Sequence, residues 1–168
     1  KDEPAVKAVL TLSKLAFPNM GLIPEKEDVR NAFMTVISGC DLIRADLLTQ
    51  MVFSIPNGQP GLRLYDPEKN TIRDRISSEV GLRFEHLRQW LISYSESPEL
   101  ELDVFLGRLF GELLSQQGFN FHTDLYQSTI IHQLVQSSRK FRQTLATDGS
   151  ISEKDFARTY IELIESGL

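Results

Sequence analysis

The chain has 168 residues, with 18 basic and 23 acidic side chains and a formal net charge of −5. This length fits a single domain, and a hydrophobic fraction of 41% is enough to form a buried core. The acidic balance excludes a surface that is basic throughout, and the single cysteine, Cys40, excludes a disulfide or a thiolate metal cluster within the chain.

Nothing in the chain predicts a membrane protein. No apolar segment approaches the roughly 18 residues that a membrane-spanning helix needs, and the first ten residues do not resemble a signal peptide. A lone cysteine among apolar residues is expected to be buried and favours a reducing compartment, so we expect a cytoplasmic protein. The chain begins without methionine and stops where a helix is finishing, so we interpret residues 1–168 as a single helical domain and a fragment of a larger protein.

Apolar residues recur at helical spacing along most of the chain, and prolines, glycines and capping residues mark the helix ends. This pattern predicts an all-α fold, an irregular bundle of six or seven helices with no significant sheet. The predicted helices cover about 4–17, 25–37, 41–53, 71–94 and 98–117, followed by one that begins near Asp124 and one that begins at Ser152.

Two features interrupt this pattern. The segment 55–70 contains three of the seven prolines and two glycines, which predicts a long surface loop. Leu62, Leu64 and Tyr65 are the candidates to pin this loop to the core. Gly81 lies inside the fourth predicted helix, where a glycine predicts either a kink or a division into two helices.

The segment TDGSISEKDF resembles a calcium-binding EF-hand loop, with an Asp-Gly turn and an acid that leads into a helix. Calcium needs carboxylates at the first, third and fifth loop positions and usually a bidentate glutamate at the twelfth. Here Thr144 and Ala146 occupy the first two of these positions, and Asp155 occupies the last. We therefore predict no metal site, but a turn that is followed by a capping box between Ser152 and Asp155.

No catalytic constellation or cofactor motif is recognisable. The sequence contains no P-loop, no Rossmann glycine pattern and no nucleophile elbow, so we predict no catalytic residue and no cofactor. The three histidines lack partners at metal-ligand spacing. Glu99, Glu101 and Asp103 begin a predicted helix, where solvated acids are expected. Gly107 and Gly111 form a G-x-x-x-G pattern, which is typical of close helix packing.

The sequence contains two clusters of basic residues. The first consists of arginines along the fourth predicted helix: Arg73, Arg75, Arg83 and Arg88. The second lies in the run SSRKFRQ and consists of Arg139, Lys140 and Arg142. Each group fits a solvated helix face with i,i+4 ion pairs, and each also fits an edge that contacts phosphate. We take Arg139, Lys140 and Arg142 as the candidate nucleic-acid-binding residues.

The first segment, DEPAVKAVLTLSKLAFPN, carries a resemblance to a known family. An acid before a helix, Glu3, and the pattern from Val6 to Leu10 resemble the start of the accessory insertion, or 2B subdomain, of UvrD/Rep-type superfamily 1 DNA helicases. The segments VFLGRLFGELLSQQGFNFH and SSRKFRQTL resemble a divergent, mainly cyanobacterial branch of helicase-like proteins that are also called recombinases. The resemblance covers nearly the whole chain.

The resemblance implies both a fold and a function. The subdomain in that family is all-helical, has no ATP site, contacts duplex DNA ahead of the motor, restrains the helicase and recruits partners. It implies a non-catalytic accessory domain whose parent is an ATP-dependent DNA helicase of repair or recombination. The family contacts duplex DNA through a basic, glycine-containing helix–hairpin–helix element, of which this sequence has no clear copy. Arg139, Lys140 and Arg142 are the candidate substitutes.

A second hypothesis makes this chain a helical protein–protein interaction module that is unrelated to DNA. In that case the loop 55–70 and the helix that contains Gly107 and Gly111 are the expected docking surfaces. DNA binding that weakens as salt rises separates the two hypotheses. A small helical enzyme or metal protein is a third alternative.

Overall fold

A computed structural model describes residues 3–69, 76–95 and 101–167. These residues form seven α-helices and one short strand pair, so the predicted all-α irregular bundle without a significant sheet is confirmed. The helices are α1 (Pro4–Ala16), α2 (Lys26–Val36), α3 (Leu42–Val52), α4 (Ser78–Ser95), α5 (Leu102–Leu109), α6 (Leu125–Asp148) and α7 (Phe156–Ser166). A π-helical turn, Phe110–Leu114, extends α5, and strands β1 (Phe53–Ser54) and β2 (Gly61–Leu62) pair in antiparallel register.

α1 is the central helix of the bundle. Eleven of its 13 residues are buried, and it packs against α2, α4, α5 and α6. Neighbours cover most of its sides, and its polar residues Lys7, Thr11 and Lys14 share one stripe at helical spacing. Its buried cation, Lys14, forms an ion pair with Glu165 of α7, which ties the first helix to the last.

Capping acids define several of the predicted helix starts. Glu25 and the N3 residue Asp28 form a reciprocal capping box at the start of α2. Asp41 accepts a hydrogen bond from the Arg44 backbone N–H at 2.9 Å, and Asp124 accepts one from the first turn of α6. α2, α3 and α6 each begin directly after the capping acid.

The segment predicted as a long loop contains the β1–β2 hairpin and a tight tip. At the tip, Asn57 and Gly58 have φ angles of 55° and 77°, in the left-handed region that asparagine and glycine adopt at the lowest cost. The returning chain is anchored on α4, because Glu85 accepts a hydrogen bond from the Tyr65 backbone N–H at 2.7 Å. The Tyr65 side chain is buried, whereas Leu64 is exposed, so the anchoring role predicted for Leu64 is wrong.

α4 begins at Ser78, because the described residues 76–77 are not helical, so Gly81 lies in its first turn and neither kinks nor divides it as the sequence predicts. The glycine instead makes room for the loop, because a Cβ atom at this position would lie 2.5 Å from the Tyr65 ring. Only glycine allows the ring to pack this closely against the helix. The predicted start of this helix, at 71–75, lies outside the described residues, as do Pro98 and Glu99.

The corner between α6 and α7 has no capping box. Gly149 ends α6 with a φ angle of 66°, and a short 3₁₀ turn, Glu153–Asp155, precedes α7. The predicted box is wrong, because the Ser152 side chain makes no capping bond. The Asp155 N–H donates to the Ser152 carbonyl at 2.9 Å, so the tight turn already uses the donor that the hydroxyl was expected to cap.

Cys40 is buried, as the sequence predicts, with 5% of its surface exposed. Burial and the nearby Asp41 carboxylate raise the pKa of its thiol to about 12, against the opposing effect of Arg44. None of the helices in the described part of the chain is both long and apolar enough to cross a membrane.

Candidate nucleic-acid interface

α6 carries all three residues that the sequence predicts as nucleic-acid contacts. Four of its side chains are buried at helical spacing: Ile131, Leu134, Val135 and Ser138. The opposite face is exposed to solvent along the helix, and Arg139 and Lys140 are exposed with it. Arg142 is half-buried, one turn from the buried Ser138.

One buried carboxylate, Asp103 of α5, holds both arginines. Arg142 donates to it from Nε at 2.9 Å and from Nη2 at 3.1 Å, which makes a bidentate pair. Arg139 donates from Nε to the same carboxylate at 3.4 Å. The Asp103 side chain is 2% exposed, whereas the side chains of Arg139 and Arg142 are 46% and 32% exposed. Each guanidinium therefore contacts Asp103 on one side and solvent on the other.

Two opposing effects set the pKa of Asp103. Burial raises it, but the hydrogen bonds and charge of Arg142, with a further hydrogen bond from Arg139, lower it by more. The pKa of this carboxyl therefore lies below its ordinary value, and Asp103 is negatively charged at neutral pH. The hydrogen bond with Asp103 in turn raises the pKa of Arg142.

The net positive charge of this edge comes from Lys140. Glu101 lies 3.7 Å from Arg142 Nε, so Asp103 and Glu101 together balance the charges of the two arginines. Lys140 is exposed and has no acidic partner within the part of the chain that the structure describes. The three predicted residues thus lie in the second half of α6 but have different surroundings.

The outer face of α6 forms a shallow depression of about 500 Å³ that ends at Lys140. Its other lining residues are neutral polar side chains and one histidine: Thr129, His132, Gln133, Gln136 and Ser137. This surface was not predicted from the sequence, because no cluster of basic residues marks it. The available signal was a different one, the absence of any acid between positions 125 and 147.

The other predicted basic group serves the fold. Arg83 donates to a backbone carbonyl in the α2–α3 turn at 2.7 Å, and Arg88 forms an ion pair with Glu85 at 3.3 Å. Arg73 and Arg75 lie outside the described residues. For α4, the interpretation as a helix face with ion pairs therefore fits better than the interpretation as a phosphate-binding edge.

Asp103 is the site residue whose environment was predicted wrongly. The sequence predicts a solvated acid in the first turn of a helix, whereas the side chain is buried. Leu102, Phe105 and Leu106 form a buried stripe beside it. Position 103 lies at the margin of that stripe, where helical spacing alone does not distinguish a buried acid from an exposed one.

Gly107 and Gly111 do not mark a contact between helices of this chain. Both are exposed, and a Cβ atom at either position would meet nothing within 4 Å among the described residues. The interpretation as close helix packing is therefore wrong. Their alternative role, as part of a surface that docks a partner, stays a prediction.

A second concave surface lies between α1, α6 and α7, with a volume of about 390 Å³. Its apolar lining includes Val6, Ile130 and Ile164. Tyr126 lies at its edge, 63% exposed, and donates a hydrogen bond to Glu3 at 3.1 Å. A groove of this kind suits an apolar side chain of a protein partner better than it suits phosphate.

All three histidines make contacts within the fold. His86 and His132 pack edge-on against phenylalanine rings, and His122 Nδ1 lies 2.7 Å from a backbone carbonyl. Within residues 3–69, 76–95 and 101–167, no three His, Cys, Asp or Glu side chains form a group that could hold a metal ion.

Comparison of the chain with protein-family models, curated proteins and solved structures gave no match. The observations that bear on function are therefore the geometry of α6 and the charge of its surroundings.

Proposed function

We propose that this chain is a non-catalytic accessory domain of an ATP-dependent, UvrD/Rep-like DNA helicase, a cytoplasmic protein of DNA repair or recombination. The domain contacts DNA or a partner and thereby regulates a motor that lies elsewhere in the protein. ATP hydrolysis belongs to the motor, because a helicase motor needs a phosphate loop and this sequence has none.

The position of α1 is the observation that carries this proposal. The segment that resembles the helicase insertion forms the central helix of the fold, and 11 of its 13 residues are buried. The resemblance therefore concerns the residues on which the other helices pack, rather than a detail of the surface. An all-helical domain is also what the resemblance implies, and the described chain has that architecture.

The charge on α6 favours DNA over a protein as the contact. Lys140 offers an unpaired positive charge on a face without acids. Arg139 uses only its Nε in the bond to Asp103, which leaves its other N–H groups on the exposed side. Phosphate oxygens accept hydrogen bonds from such groups without regard to base sequence.

The proposal is tested by titrating duplex DNA with the purified chain and following fluorescence anisotropy at several salt concentrations. We expect an affinity that falls as salt rises and that is similar for unrelated sequences. Lys140→Ala should weaken binding and reduce the slope of log affinity against log salt by about 1. Lys26→Ala removes an exposed lysine from α2 and should change neither quantity.

Lys140 is a better target than the two arginines. Replacing Arg139 and Arg142 would leave the buried Asp103 without partners, and a loss of binding would then also follow from a damaged fold. Measurable ATP hydrolysis by the purified chain would contradict the non-catalytic part of the proposal.

A chain that ignores duplex DNA at low salt would contradict the DNA contact. That result would favour the second hypothesis, a helical protein–protein interaction module. The specific observation behind this alternative is the groove between α1, α6 and α7, with its apolar lining and the exposed Tyr126 ring.

A further inference from the structure

α6 contains the longest run without an acidic residue in the chain, and the helix ends at the exposed Asp148. About one residue in seven is acidic, 23 of 168, yet no acid occurs between positions 125 and 147. Most of these residues are exposed, so the missing acids leave a long part of the protein surface without negative charge.

The exposed residues of α6 include a continuous ridge on its outer face. They recur at alternating spacings of four and three residues: Thr129, Gln133, Gln136, Lys140, Gln143 and Thr147. At 1.5 Å of rise per residue, this ridge is about 27 Å long. The three glutamine side chains make no hydrogen bond to any residue that the structure describes, so their amides are available to an external partner.

Other exposed helices are less suited to a polyanion. α2 exposes Glu27 and Asp28 in its first turn, and α7 exposes Glu162. Arg30 pairs with Glu27 and Arg158 pairs with Glu162, so neither helix has an excess of positive charge beside its carboxylates. A phosphate backbone that lay along either helix would meet these carboxylates at close range, and repulsion between like charges would weaken the contact. Along the ridge of α6 it would meet amides, hydroxyls and Lys140.

We infer that the outer ridge of α6, from Thr129 to Thr147, is the surface that contacts the sugar–phosphate backbone of duplex DNA. This inference rests on the proposed function and specifies its contact surface. Glutamine, threonine and lysine side chains bind backbone oxygens and fix orientation without reading sequence. Because Lys140 is the sole cation of the ridge, binding is modest in strength and independent of sequence.

Arg139 and Arg142 have a different role beside the ridge. Their bonds to Asp103 fix the second half of α6 against α5, and therefore hold the ridge at a set angle to the bundle. They are positioning residues in this arrangement, and Arg139 adds its exposed N–H groups at the margin of the contact.

Two exposed glutamines on different helices make a matched pair for the test. Gln136 lies on the ridge and Gln89 lies on α4, and neither makes a hydrogen bond within the described part of the chain. We expect Gln136→Lys to tighten duplex binding about 3- to 10-fold at low salt and to steepen the salt slope by about 1. Gln136→Glu should weaken binding by a similar factor, whereas Gln89→Lys and Gln89→Glu should have little effect. A gain in affinity is informative because a folding defect does not produce it.

The outcomes separate this inference from the function on which it rests. If the α6 and α4 variants change the affinity equally, the ridge is not the contact surface, although the domain still binds DNA. If the unmodified chain does not bind duplex DNA at low salt, the DNA contact of the proposed function fails and the inference fails with it. If a single strand of the same length competes better than the duplex, the assignment to duplex DNA is overturned.

Discussion

Asp103 joins α5 to α6 through two arginines, and it does so from a buried position in the first turn of its own helix. The positive end of the helix dipole favours a carboxylate there, and the two guanidinium groups supply the hydrogen bonds. A buried charge without partners costs several kcal/mol. The arginines are therefore needed by the fold, whatever else they contact.

We predict that Asp103→Asn lowers the free energy of unfolding by about 1–2 kcal/mol at neutral pH. The loss comes from weaker hydrogen bonds to an uncharged acceptor, and it is limited because the arginines are partly exposed. Because the pKa of Asp103 is lowered in the folded chain, its stabilising effect is present above the pKa of the unfolded chain, about 4. The effect is lost as the pH falls through the folded pKa, so the difference from the unmodified chain narrows in acid.

Urea denaturation at neutral and acidic pH measures this difference. Asp155→Asn is the matched control, because Asp155 is exposed and its side chain makes no hydrogen bond within the described residues. A difference between Asp103→Asn and the unmodified chain that stays constant across the pH range would contradict the role assigned to the Asp103 charge.

Individual helices depend on glycine in opposite ways. Gly81→Ala on α4 would place a Cβ atom 2.5 Å from the Tyr65 ring, so we predict a loss of about 1–2 kcal/mol of stability even though alanine favours helix. Gly107→Ala on α5 meets open space, and we predict a gain of about 0.5–1 kcal/mol from helix propensity alone. Thermal or urea denaturation of the two variants measures whether stability falls for Gly81→Ala and rises for Gly107→Ala. A stabilising Gly81→Ala would mean that the ring does not need the glycine.

The helices that the sequence predicts best are those whose signals are local. α2, α3 and α6 begin beside Glu25, Asp41 and Asp124, and each of these acids lies next to the backbone groups that it caps. The packing of Tyr65 on Gly81 was not predictable, because it joins a loop to a helix 16 positions away and leaves no periodic pattern. The capping box between Ser152 and Asp155 failed because a 3₁₀ turn competes for the same N–H.

In the candidate site too, features set by neighbouring residues are predictable from the sequence, and contacts between distant residues are not. Arg139, Lys140 and Arg142 are recognisable as a basic run in the sequence. The sequence does not show that the arginines are paired with an acid and Lys140 is not, since the acid that binds Arg142 lies 39 residues earlier in the chain. Pairing at such a distance depends on how α5 and α6 pack, which apolar spacing alone does not determine.

At the scale of the whole molecule, two candidate surfaces meet on α6. The polar depression on its outer face and the groove against α1 and α7 share Thr129, Gln133 and Ser137. DNA on the ridge and a protein in the groove would therefore contact some of the same side chains. If both proposed contacts exist, a partner in the groove would compete with DNA for α6.

DNA binding along α6 is tested most directly by an NMR titration of the isotope-labelled chain with a short duplex at low salt. We predict that changes in amide chemical shift concentrate at Thr129, Gln133, Gln136 and Lys140, and that they diminish as salt is added. Changes confined to the hairpin tip or to the exposed side of α5, with α6 unaffected, would contradict the assignment of α6 as the DNA-contacting helix.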